Sequence, residues 1–126
     1  MMASLVTALR AAASGMEAQS TRLRHLSENI ANADTPGYQR KTVAFAEMAE
    51  GTVATGQVQL DRSPLQSIYD PGNPLSDDSG HYDGSNVDLV IELADAREAQ
   101  RSYEANLKLF DQARQMTQSL FDLIRR

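Results

Sequence analysis

Apolar positions recur with a three-four period at both ends of this chain and lose it in between. Near the start, Leu5, Leu9, Ala12, Met16, Gln19, Leu23, Leu26 and Ile30 are spaced alternately four and three residues apart. That is a heptad seam on one face of a helix, with Gln19 as its polar member. Ala8, Ala11, Ala12 and Gly15 add small side chains that let another backbone come close. Near the end, Leu89, Leu93, Ala96, Gln100, Tyr103, Leu107, Phe110, Arg114, Thr117, Phe121 and Ile124 repeat the spacing, interrupted by Gln100 and Arg114. A second stripe, Leu109, Ala113, Met116, Leu120 and Leu123, makes the end of this helix apolar over a wider arc than one partner helix needs. The expected fold is mainly α: two long terminal helices paired as an antiparallel coiled-coil hairpin, with a small irregular, β-containing middle. The expected parts are residues 1–34, 35–85 and 86–126.

Length sharpens this expectation. A helix over Val87–Ile124 would run about 57 Å at 1.5 Å per residue. A compact chain of this size has a radius of gyration of about 14 Å. The helix must therefore protrude, and the shorter N-terminal helix cannot cover all of its apolar surface. A hairpin left open in this way either stays disordered as a monomer or docks on neighbours, and docking on unlike surfaces propagates as a helical array. Gln19, Gln100 and Arg114 would weaken such contacts while setting register and partner choice.

The N-terminal helix stops abruptly at "IANADTPGY". Thr35 is driven from the α region by Pro36. Pro36-Gly37 suits the centre of a type II turn, and Asn32 suits a left-handed cap. Beyond it, "YQRKTVAFAEM" alternates as a short strand with Val43 and Phe45 on one face, and "QVQL" is its candidate partner. The Pro/Gly-rich stretch from Ser63 to Asn86 reads as an irregular loop. Ser85 or Asn86 is the expected cap of the second helix.

Charge and composition exclude several functions. The net charge is −5, and residues 47–85 alone carry seven acidic groups against Arg62. A nucleic-acid binder would be expected to show a basic stripe, which is missing. No Cys is present, which excludes disulfides, thiolate metal sites and a Cys nucleophile. No apolar run reaches the roughly 20 residues of a membrane span, and the start does not resemble a Sec signal peptide. "DDSGHYDGSNVD" fails as a calcium loop: its sixth position is Tyr82, and the bidentate Glu is missing at Asp88. His25 and His81 lack the partners of nucleophilic catalysis, so no catalytic site, cofactor or metal is expected.

The remaining motifs carry a resemblance. "ALRAAASGMEAQSTRLRHLSENIANADTPGYQR" resembles the N-terminal signature of the flagellar rod, hook and hook-associated proteins. The match falls on Ala18-Gln19, Arg22-Leu23, Asn29 to Asn32, and Thr35, Pro36, Gly37 and Tyr38. "NVDLVIELADAREAQRSYEANLKLFDQARQM" resembles the C-terminal signature of the same family, most specifically in Arg101–Asn106. Tyr69, Pro71, Gly72, Asn73 and Pro74, within "IYDPGNPLSDDSGHYDGSNVDLV", are similar to the proximal-rod branch, although Ser85 stands where that branch is expected to have Pro.

The resemblance implies a structural subunit of the basal-body rod. Its terminal helices would form the wall of a hollow axial tube, with the "ANADTPGY" stop turning the chain outward. It also implies partnership with other copies of the chain and other rod proteins, export by the flagellar type III apparatus, and a place in the periplasmic part of the basal body. Two other classes compete. A soluble helical-hairpin adaptor or export chaperone would share the heptads but have no use for "TPGY" or "YDPGNPL". An enzyme such as a peptidoglycan hydrolase would need a carboxylate pair or nucleophile–base set that the chain does not offer.

Overall fold

A computed structural model describes residues 2–125. Two helices dominate it: α1, Met2–Ala31, and α2, Leu89–Arg125. Between them lie β1 (Lys41–Thr42), β2 (Phe45–Glu47), β3 (Val53–Thr55), β4 (Gln59–Leu60), β5 (Ser67–Tyr69) and β6 (His81–Asp83). These strands pair antiparallel as β1 with β4, β2 with β3, and β5 with β6.

The helices pack along their length, and residue numbers rise on one as they fall on the other. Asn29 meets Glu92, Arg22 meets Asp95 and Glu98, and Gly15 lies against Asn106. On α1 all eight positions of the predicted seam are buried or half-buried, with Leu5, Ala12 and Leu26 among the most enclosed. Gly15, Ala18, His25 and Asn29, one register over, are buried as well.

On α2 the face turned to α1 is not the predicted one. The enclosed line is Glu92, Ala99, Asn106, Ala113 and Leu120, spaced by seven. Ala96, Tyr103, Phe110 and Thr117 flank it half-buried, whereas Leu89, Leu93, Gln100, Leu107, Arg114, Phe121 and Ile124 are exposed. The physical reason is closeness. A Cβ added at Gly15 would lie 2.7 Å from Asn106 Nδ2, so the helices approach at a separation that only small side chains allow. The buried small residues Ala12, Ala18, Ala99 and Ala113 are in keeping with that closeness.

The resulting core is thin: its buried apolar residues are Leu5, Ala12, Ala18, Leu26, Ala99 and Ala113. Fully burying a leucine contributes about 1.5–3 kcal/mol and an alanine much less, so this interface alone holds two long helices weakly.

The middle corrects three expectations. The stretch read as a loop contains the β5–β6 hairpin, with Ile68 opposite Tyr82. Asn32 does not adopt a left-handed cap, because Glu50 is the one non-glycine with positive φ among the described residues. Asn32 stays near the helix and donates Nδ2–H to the Glu28 carbonyl at 2.8 Å. Neither Ser85 nor Asn86 caps α2; Asp88 Oδ1 accepts the Val90 amide at 3.0 Å and does so. The strand expected after Tyr38 forms as two short pieces, β1 and β2, and the end of "QVQL" pairs with the first of them.

Candidate functional site

Two regions stand out: a polar junction where α1 ends and α2 begins, and an open apolar groove at the opposite end of the helix pair.

The junction starts from the turn. Gly37 has φ of +75°, and the Tyr38 amide donates to the Thr35 carbonyl at 3.2 Å, as the Pro-Gly pair predicts. Thr35 Oγ1 donates to Asn32 Oδ1 at 3.1 Å, bracing the stop. The Gly37 amide reaches the carbonyls of Asp83 and Gly84 at 3.2 and 3.1 Å, so the turn is tied to the end of β6. The reversed chain then passes Asn29, which is fully buried. Its Oδ1 accepts from the Tyr38 hydroxyl and the Lys41 amide, each at 2.8 Å. Its Nδ2 donates to the Lys41 carbonyl at 2.9 Å and towards Glu92 Oε2 at 3.4 Å. Both donors and both acceptors of one amide are used, which a buried amide needs.

Glu92 is fully buried too, and Arg40 Nε donates to its Oε1 at 2.5 Å. Arg40 Nη1 also reaches Asp61 Oδ2 at 3.3 Å, and its own amide donates to Asn86 Oδ1 at 2.7 Å. Asn86 Nδ2 donates onward to the carbonyls of Asp61 and Ser63 at 2.9 and 3.1 Å. Ser85, where the branch pattern expects Pro, is buried and donates its hydroxyl to the Ala33 carbonyl at the end of α1.

Electrostatics follow these contacts. Hydrogen bonding to Glu92 pushes the Arg40 guanidinium still higher than usual. The Lys41 ammonium, 2.8 Å from Glu28, holds that carboxyl below its ordinary range and is itself raised by it. Hydrogen bonds from Ser63 lower Asp61, and burial raises the Tyr38 phenol. The junction is a set of charge-assisted ties between α1, the turn, β1 and α2. Arg40, Lys41, Glu28, Asp61 and Glu92 are all engaged in holding the chain, and Arg40 and Lys41 also border a small hollow of about 220 Å³ shared with Arg22 and Asp95.

The motif residues divide between two places. Asn29, Asn32, Thr35, Pro36, Gly37 and Tyr38 gather at the junction. Tyr69 ends β5 opposite His81, and Pro71, Gly72, Asn73 and Pro74 lie in the connection from β5 to β6, where the Asn73 amide bonds the Asp70 carbonyl at 3.0 Å. Gly80, with φ of +83°, backs directly onto Tyr69 and Pro71; a Cβ there would lie 2.8 Å from the Tyr69 ring. Glu92, Arg40 and Asp61 escaped the sequence reading, and Asn86, expected only as a helix cap, ties Arg40 to Asp61 and Ser63 instead. The available signal was Glu92 itself, an acid seven residues before Ala99 on a line of otherwise uncharged residues.

The opposite end is open. Leu5, Ala8, Ala12, Leu109, Met116 and Phe45 help to line a hollow of about 490 Å³ between the helices and the β2–β3 hairpin. Gln19 also faces this hollow, and its Oε1 is buried without a partner. Most large exposed apolar side chains sit on α2, including Leu93, Leu107, Met116, Phe121 and Leu123. Among the described residues no helix is long and apolar enough to cross a membrane.

Known proteins resemble this chain at both ends and throughout. The family model described as "Flagella basal body rod protein" matches residues 9–39, which include the turn. A second, "Flagellar basal body rod FlgEFG protein C-terminal", matches residues 78–123. Flagellar basal-body rod protein FlgC of Agrobacterium fabrum is 45% identical over 96% of this chain and 96% of its own length. The protein of that name from Salmonella typhimurium is 36% identical over 83% of this chain and 87% of its own. That from Buchnera aphidicola of Acyrthosiphon pisum is 32% identical over 90% and 93%.

Proposed function

The chain belongs to the flagellar basal-body rod protein family, and from that premise we propose how its two ends divide the work of a rod subunit. It is a structural component of the bacterial flagellum's basal body that serves motility, and not an enzyme. The observation that carries this is the near-complete coverage by rod proteins, from the Asn29–Tyr38 stop through the whole of α2. A soluble adaptor or export chaperone is not favoured, because it gives no reason for that coverage.

In the finer reading, residues 1–34 and 86–126 form an antiparallel coiled coil in the inner layer of the rod, and residues 35–85 form the outer segment. The opposite order of contacts along α1 and α2 supports this, as does the seven-residue spacing of Glu92, Ala99, Asn106 and Ala113. The partners are other copies of this chain and other rod proteins, which would cover the apolar flanks of α2. The predicted seams, Leu5 to Ile30 and Leu89 to Ile124, act in assembly, the second as an outward surface. Gln19, Gln100 and Arg114 tune which partner is accepted. Export through the flagellar type III apparatus and a periplasmic position complete the reading. A core made largely of alanine supports passage in an unfolded state.

An in-frame deletion in the native host, scored by swimming and by electron microscopy of basal bodies, tests the function. Inner rings without rod, hook or filament are expected. Normal rods and swimming would remove the assignment and bring the adaptor forward.

A further inference from the structure

The small hollow beside the junction has more hydrogen-bond donors than acceptors. It lies where α1, β1 and α2 meet, and Arg22, His25, Arg40, Lys41 and Asp95 form most of its polar wall. The His25 side chain is only 7% exposed, and neither of its ring nitrogens has a hydrogen-bond partner. Glu28 Oε2 stands 3.8 Å from Nδ1, out of hydrogen-bond reach. A buried ring with both nitrogens unsatisfied is costly unless something in the hollow bonds to it.

The charged groups around the hollow are unevenly served. Arg22 Nη2 lies 3.8 Å from Asp95 and 3.7 Å from Glu98, both too far for a hydrogen bond. Arg40 Nη2 lies 3.8 Å from the other oxygen of Asp95. Among the described residues Lys41 Nζ has one acceptor, Glu28, for its three N–H groups. On the acidic side, Glu28, Asp61 and Glu92 already accept from Lys41 or Arg40 and do not line the hollow. Glu98 is turned largely to solvent. The wall itself sets three cations and a histidine against one carboxylate. Such a wall suits a group that only accepts hydrogen bonds.

We propose that this hollow is a binding site for a small oxyanion, a carboxylate or a phosphate. Arg22 and the Nη2 group of Arg40 clasp its oxygens, and His25 donates a ring N–H from α1. Asp95 is the competitor, since it now stands between the two guanidinium groups. Its side chain is 34% exposed, so it can turn towards water when the oxyanion enters. The source of the oxyanion is either a free inorganic ion or an acidic side chain of another protein; both present the same acceptor-only oxygens. The site goes beyond the rod-subunit reading and does not depend on it.

Nuclear magnetic resonance of the full chain tests this, because His25 shares the sequence with a single other histidine, His81. Chain labelled at its histidine ring nitrogens is titrated separately with inorganic phosphate and with acetate. The pH is fixed, and sodium chloride keeps the ionic strength constant. The His25 signals are expected to shift and saturate, while those of His81, at the start of β6, serve as the control. Saturation by phosphate alone assigns the site to a free inorganic ion, and saturation by acetate as well assigns it to a carboxylate. Arg22→Gln should weaken binding about tenfold, through loss of a charge-assisted bond. Asp95→Asn should tighten binding about threefold by removing the competitor, a gain that a merely structural role would not give. The proposal is overturned if His25 shifts no further than His81 with both ions, if Arg22→Gln leaves the binding unchanged, or if Asp95→Asn fails to tighten it. Should Arg22→Gln not fold, Asp95→Asn decides alone. Any of these failures leaves the rod function intact, whereas normal rods in the deletion strain would remove that function itself.

Discussion

The two ends of the helix pair solve the problem of burial in opposite ways. At the junction, Asn29 and Glu92 are completely enclosed, and their polar atoms find partners inside the chain. At the groove end, Leu109, Met116, Phe121 and Leu123 remain exposed, and apart from Leu5 the residues buried between the helices are small. The junction uses directional bonds, which set angle and register and are complete in one molecule. The groove end uses apolar surface, which has no direction of its own and is incomplete until something covers it. A subunit that must present the same geometry at each repeat gains from settling its bend internally and leaving its adhesive surface to the neighbour.

The sharpest way to break this contrast is at Glu92. Glu92→Ala removes the shortest ion pair of half-buried Arg40, leaving it Asp61 and the more distant Asp95, and strips Asn29 of an acceptor, at a cost of about 3 kcal/mol. Urea denaturation followed by circular dichroism should show it, and a shift below about 1 kcal/mol would mean the junction is not what holds the helices together. Asn29→Ala comes next. It orphans the amide and carbonyl of Lys41 and the Tyr38 hydroxyl, for about 2 kcal/mol in the same measurement. Gly15→Ala pushes a methyl against Asn106, whose side chain can give way, so about 1 kcal/mol is expected.

Acid offers a gentler probe of the junction. Glu28 and Asp61 are both held below their ordinary values of 4.5 and 3.8, by Lys41 and by Ser63 respectively. Their contribution is therefore present at neutral pH and is lost as pH falls below those values. The urea midpoint should hold level from pH 7 down to about 5 and decline below 4.5, and Glu28→Gln should remove the upper part of that decline. Lys41, raised by the same contact, keeps its charge past 10.5 and adds no change in this window.

The smallest effect on the isolated chain belongs to the other end. Leu107→Ser should move the denaturation midpoint by less than about 0.5 kcal/mol, because the side chain is exposed. Swimming should nonetheless be lost. Gln100→Leu should tighten association and broaden the set of rod proteins recovered in a pull-down. An unchanged set would deny Gln100 a part in partner choice.

Much of this molecule was legible as a string of letters. The two long helices were, because a three-four apolar period is local and survives without tertiary context. So was the Thr35–Tyr38 turn, since Pro restricts the residue before it and Gly alone readily takes positive φ. The family signatures at both ends were legible for the same local reason.

Tertiary structure decided which face of α2 meets α1. Periodicity admits several stripes on that helix, and the line with the largest side chains was the natural choice from sequence. The close approach of Gly15 to Asn106 goes instead with the line that carries Ala99 and Ala113. It also decided that Arg40, Asp61, Asn86 and Glu92 belong together, across separations of 21 to 52 residues from Arg40. A hydrogen bond between distant residues leaves no periodic trace in the chain. Only the fold that brings its two ends within about 3 Å reveals it.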